Sequence, residues 1–136
     1  MKPGLEIVFL TGHDVRMNGT DSADAGIDKP IVSVRQLCGA IVVEVTGEID
    51  MVTAPLLENA VRESLANRPD ALVIDLSGAQ FFSSAGIAVL VLAHRNSAGI
   101  SLRVVAQDRV VLRPLELTGL TEDLAIYPDL DTALAD

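Results

Sequence analysis

The stretch DLSGAQFFSSAGIAVL, Asp75–Leu90, starts at the end of a short apolar run, ALVID, and finishes inside a run that is apolar almost throughout. ALVID reads as a short buried strand, and Ala85–Asn96 as a helix that Gly99 ends. Between them SGAQFFSSAG reads as a loop at the strand's carboxyl end, with two adjacent hydroxyls, Ser83 and Ser84. Ser83 suits the N-cap of the helix, a role in stability alone, worth ~1 kcal/mol. That role does not need Ser84. In the first helical position Ser84 points its hydroxyl outward at the positive end of the helix dipole, where free N–H groups stabilise an anion. A phosphate there adds about −1.5 to −2 charges without melting the helix, enough to stop docking onto an acidic or apolar partner. Phe81 and Phe82 are adjacent, so in an extended segment they face opposite ways and one is exposed at the loop. The helix AGIAVLVLAH is apolar nearly all round, and its outer face is covered by its own domain or by a partner.

The rest of the chain supplies an α/β frame for that loop. IVSVRQL and AIVVEVTG are β-branched runs separated by Cys38 and Gly39, the spacing of an antiparallel hairpin. In GEIDMVTAPLLENAVRESLANRP, Leu57, Ala60, Val61 and Leu65 share one helical face. A helix is predicted over about Ala54–Asn67, with Thr53 as cap and Pro55 in its first turn. SLRVVAQ is a further strand, DRVVLRPLELTGL a helix bent or restarted near Pro114, and LAIYP a last strand before a short tail with Leu130 and Leu134. Helix and strand alternate after the hairpin, so the expected product is one α/β domain with a mixed sheet backed by helices. Functional groups in such sheets collect at the carboxyl ends of the strands, which singles out GEID and the serine loop.

Composition removes several classes of partner. The 136 residues, 49% hydrophobic and 21% charged, are enough for one folded domain. A net charge of −9 repels phosphate backbones and anionic headgroups, so neither nucleic acid nor membrane is expected as a partner. Cys38 is the only cysteine, which precludes an intrachain disulfide and fits a cytoplasmic protein. No metal is expected. The apolar run Leu5–Leu10 is too short for a signal sequence or a membrane span. Residues 11–30 carry Gly12, Gly19 and Gly26 with Asp14, Asp21, Asp24 and Asp28. Residues 1–30 therefore read as an N-terminal extension, either flexible or contributing an added edge strand, with the domain over 31–136.

The chain from about Ile31 onward resembles a STAS domain of the anti-sigma factor antagonist type. VIDLSGAQFFSSAGIAVLV is similar to the family signature, in which a strand and Asp-Leu-Ser lead through a short loop to Asp-Ser-x-Gly-Leu at a helix start. VVEVTGEIDMVTAPLL is similar to the family's upstream Gly-Glu-Leu-Asp segment, and LELTGL to its late helix. The resemblance implies an anti-anti-sigma factor that is not an enzyme and has no cofactor. Unphosphorylated, it captures an anti-sigma factor of the serine-kinase type and releases a sigma factor; phosphorylation reverses this. ATP and magnesium then belong to the kinase. By position Ser84 matches the phosphorylated serine, Gly86 the glycine that lets the loop enter the helix, Ile87 the usual leucine, and Asp50 the acid of the neighbouring loop. Ser83 departs from the family's usual Asp: it still caps the helix but brings no negative charge, which weakens kinase recognition or marks a differently regulated member. The implied contact surface is Asp50, Phe82, Ser83, Ser84, Gly86 and Ile87, on a monomer or weak homodimer.

Two other readings compete. A scaffold or ligand-binding STAS module would dock without phosphorylation, and Arg109 and Arg113, one turn apart, offer an anion site or a solvated face. A serine hydrolase needs a base in reach of the hydroxyl, yet Gly-x-Ser-x-Gly is missing and His94 lies ~15 Å along the helix from Ser84. His13 sits in the presumed tether, where a solvated role is expected.

Overall fold

Cys38 and Gly39 turn the chain back on itself with φ of 44° and 89°, the paired left-handed conformations whose twist suits a two-residue hairpin. A computed structural model describes residues 9–10 and 31–136. The turn joins β2 (Val32–Leu37) to β3 (Ala40–Ile49), with Val32 opposite Val45 and Leu37 opposite Ala40. β1 (Phe9–Leu10) lies antiparallel along the outer side of β2, Phe9 opposite Val34 and Leu10 opposite Ser33. The remainder of the N-terminal extension, including the start of the LEIVFL run, the tether and His13, lies outside the described residues.

After β3 come α1 (Ala54–Ala66), β4 (Ala71–Phe82), α2 (Ser84–Arg95), β5 (Ser101–Val105), α3 (Arg109–Leu117), a 3-10 turn (Leu120–Glu122), β6 (Ala125–Tyr127) and α4 (Leu130–Ala135). β3, β4, β5 and β6 pair in parallel, and among the described residues the sheet has six strands in the order β1 to β6. It is the mixed α/β sheet that the alternating pattern predicts. Ile41, Val43, Leu72, Ile74 and Val104 point to one face and form the main core with Leu57, Val61, Leu90, Val111 and Leu115 of the helices. Val42, Val73 and Val105 point to the other face, where Ala133 of α4 covers them with Leu130 and Leu134 at its margins.

Three elements differ from expectation. The presumed tail is α4, which forms because Asp129 Oδ1 accepts the Thr132 N–H at 2.8 Å and apolar side chains recur on its inner face. Pro114 neither bends α3 into two helices nor ends it: Asp108 caps the start through Val110 N–H at 3.0 Å, and Pro114 lies inside one helix that runs to Leu117. The proline removes one hydrogen bond, and burial of Val111 and Leu115 holds the remainder together. Most consequentially, β4 does not stop at ALVID but runs twelve residues to Phe82.

Candidate functional site

The extension of β4 builds the site. Ala71–Asp75 pair one for one with Ala40–Glu44, but beyond them Thr46 faces Gly78, Gly47 faces Ala79, and Glu48 faces Phe81. β4 thus carries extra residues at two bulges, which bend a strand and re-aim its side chains. Leu76, Ala79 and Phe82 all reach the core, a spacing of three in place of two. Most of the segment SGAQFFSSAG expected as loop is therefore paired strand, and only Ser83 separates it from α2.

Phe82, expected on the contact surface, is 3% exposed, and Phe81 is 47% exposed. Opposite faces are what adjacency requires; the bulges decide which ring goes inward. Gly86 is buried against that ring: an added Cβ would stand 2.8 Å from Phe82 Cε1 and 2.9 Å from Ile49 Cγ2. It lets α2 approach the sheet and presents no side chain of its own. Ile87 is half-buried and packs against the main core.

The Ser83 N–H donates to Ile49 O at 2.9 Å, tying the start of α2 to the end of β3. Ser83 Oγ accepts the Ala85 N–H at 3.2 Å, the cap expected of it. Ser84 is the first residue of α2 and is exposed. The first turn of α2 contains no acidic residue, so no side chain of that turn offsets the positive end of its dipole. His94 and Arg95 occupy the last turn, the favourable end for cations. Ser84 and His94 are thus on one helix, ~15 Å apart along its axis.

Asp50 follows Ile49 directly, so Asp50 and Ser84 each lie one residue beyond the bond that links the two strand ends. Thr53, expected to cap α1, makes no cap bond with its side chain. Asp50 takes over the turn: its Oδ1 accepts the N–H groups of Val52 at 2.9 Å and Thr53 at 3.0 Å. The Thr53 hydroxyl accepts the Asp50 N–H and donates to Glu48 O at 2.7 Å. The Thr53 amide, then that of Val52, hold the Asp50 carboxyl below its ordinary range, so it is ionised at neutral pH.

That turn lifts Met51 and Val52 into solvent, 80% and 81% exposed. Among the described residues, Met51, Val52 and Phe81 are three of the four exposed large hydrophobic residues, the fourth being Leu117, and all three lie near the ends of β3 and β4 that the Ser83-to-Ile49 bond joins. Met51 also borders an open depression of about 300 Å³ between α1 and α2, floored by Ala54, Ala85, Val89 and Leu92. Met51 and Val52 were the residues to notice in the sequence: both fall before the helical repeat of α1. Arg109 is engaged by Glu116 at 2.9 Å, and this ion pair holds the Glu116 carboxyl below its usual range.

A mixed sheet containing an antiparallel hairpin, with an exposed serine at the helix start after one of its parallel strands, defines a small α/β module, and residues 31–133 match the STAS domain model. The chain belongs to the STAS domain family. Among curated relatives it is 37% identical over 108 residues to the anti-sigma-F factor antagonist RsfB of Mycobacterium tuberculosis, covering 79% of this chain and 88% of that one. Among solved structures it is similar to an anti-sigma factor antagonist from Mycobacterium paratuberculosis, with TM-score 0.74 and 43% identity over 76% of this chain and 90% of that one. The fold is also that of the anti-sigma factor antagonist SpoIIAA in its unphosphorylated form, with TM-score 0.65 and 11% identity over 76% of this chain and 92% of that one. Within its family the chain therefore falls with the anti-sigma factor antagonists. Among the described residues no helix is long and apolar enough to cross a membrane.

Proposed function

We propose that this chain binds an anti-sigma factor through the surface around Ser84, thereby freeing a sigma factor, and that phosphorylation of Ser84 by a kinase activity of the anti-sigma factor reverses the binding. The observation that carries this reading is an exposed hydroxyl at a helix start whose first turn holds no acidic residue, with exposed Met51, Val52 and Phe81 near the ends of the two strands that the Ser83-to-Ile49 bond joins. These apolar side chains offer area to a partner. The helix tip accommodates a phosphate without loss of fold, and the ionised Asp50 nearby makes added negative charge felt by any acidic or apolar surface docked there. Asp50, Ser83 and Ser84 remain in the contact surface, Ile87 borders it, and Phe82 and Gly86 support it from beneath.

The chain acts on this reading as a cytoplasmic monomer or weak homodimer without a cofactor, and residues 1–30 are an extension outside the switch. Incubation of the purified protein with its cognate anti-sigma factor and ATP should place one phosphate on Ser84, located by peptide mass spectrometry. Binding without any phosphate transfer would favour a docking module that works unphosphorylated, the alternative that Ser83 in place of an aspartate supports. Absence of binding by both the wild type and Ser84→Ala would discard the reading.

A further inference from the structure

From Glu44 opposite Asp75 to Ile49 opposite Phe82, β3 advances five residues while β4 advances seven. The first surplus falls at Leu76–Ser77, which together face Val45, and a bulge of this kind takes a backbone group off the ladder. Asp75 supplies what the ladder loses there: its Oδ1 accepts the Ser77 N–H at 3.0 Å and the Ser77 hydroxyl at 2.7 Å. Asp75 is 7% exposed and, with Ser64, one of two buried polar residues among those described. Burying a carboxylate is costly unless hydrogen bonds compensate it, so its place beside the bulge calls for a role. Gly78 completes the device, because an added Cβ would lie 2.9 Å from both Thr46 Cγ2 and Val45 O.

We propose that Asp75, acting through Ser77, is a positioning residue for Ser84: it clamps the first bulge of β4 and so sets which hydroxyl stands at the exposed start of α2. The proposal rests on the reading of Ser84 as the switch. A strand that slips by one residue turns every later side chain to the other face. Loss of the first surplus residue would exchange the positions of Phe81 and Phe82 and undo the seating of Phe82 against Gly86. It would also break the Ser83-to-Ile49 bond that sets Ser84 next to the Asp50 turn. The clamp acts through geometry rather than charge, so an uncharged acceptor in the same position must serve.

Amide hydrogen exchange of the full chain tests this without any partner, comparing wild type, Asp75→Ala, Asp75→Asn and Ser77→Ala. Asp75→Ala should accelerate exchange at Ser83 about tenfold or more, the size of leaving a buried backbone donor without its acceptor, while Ile74, in the regular half of β4, keeps its protection. Asp75→Asn, which retains Oδ1, should restore most of the Ser83 protection. Ser77→Ala removes only the hydroxyl bond and should give an intermediate loss, and it serves should Asp75→Ala fail to fold. Unchanged protection of Ser83, or equal losses at Ser83 and Ile74, would overturn the proposal. A wild type that is never phosphorylated would sink the reading of Ser84 yet leave these exchange rates as decisive for the clamp as before.

Discussion

The same two strands, β3 and β4, behave differently along their length. Over Ala40–Glu44 and Ala71–Asp75 they pair one for one, and side chains alternate between the faces: Leu72 and Ile74 to the main core, Val73 to the face under α4. Beyond Asp75 the pairing slips twice, core residues recur every third position, and the strand ends lift Met51, Val52 and Phe81 into solvent. The regular half uses its alternation to fill two cores. The irregular half fills only one: its bulges turn Phe81 outward and the Asp50 turn beyond β3 exposes Met51 and Val52, which is how a sheet that is mostly buried comes to present an apolar surface at one end.

That difference can be broken by substitutions within the irregular half, where neighbouring residues have opposite duties. The largest effect is expected from Phe82→Ala, about 3–5 kcal/mol of stability lost in chemical denaturation, as for a fully buried aromatic ring. A loss below 1 kcal/mol would mean that Phe82 is not the inward ring. Gly86→Ala should cost about 1–3 kcal/mol, since its methyl group meets the Phe82 ring at 2.8 Å; a neutral outcome would show that α2 does not pack this closely. Ser83→Ala removes the cap of α2 and should lower stability by about 1 kcal/mol. Phe81→Ser should change stability by no more than about 0.5 kcal/mol while weakening binding of an anti-sigma factor, measured by calorimetry. Equal binding by that variant would remove Phe81 from the contact surface.

The Asp50 turn gives a pH-dependent comparison. Hydrogen bonds from the Thr53 and Val52 amides lower the Asp50 pKa below the ordinary 3.8. The folded state therefore binds this proton less readily than the unfolded chain, and the resulting stability is fully present above pH 3.8 and lost as pH falls through the folded value. Melting temperatures of the wild type and Asp50→Asn should differ most near neutral pH and converge in acid. A gap that stays constant down to strongly acidic pH would assign the effect of Asp50 to something other than its charge.

What was legible in the sequence follows the same division. The hairpin at Cys38–Gly39, α1, and the start and cap of α2 show because periodicity, turn residues and a capping hydroxyl are local signals. β4 beyond Asp75 does not show, because a spacing of three among Leu76, Ala79 and Phe82 fits neither strand nor helix period and arises only from pairing with β3. The same blindness hid which phenylalanine faces inward. It also hid that the Thr53 side chain serves the Asp50 turn and leaves the α1 amides without a side-chain cap, since only the path of the chain after Ile49 brings the Thr53 hydroxyl to the Asp50 N–H and Glu48 O. α4 escaped because six residues are too few for a periodic signal, and its partner surface, Val42, Val73 and Val105, is assembled from three separate strands.

Everything functional converges on whether the surface around Ser84 reads charge. Its direct measurement is the affinity of the cognate anti-sigma factor for wild type, Ser84→Ala and Ser84→Glu, determined by calorimetry at one ionic strength. The account predicts that wild type and Ser84→Ala bind alike and that Ser84→Glu binds at least about tenfold more weakly, a difference of about 1.4 kcal/mol. Equal affinity for all three would contradict it.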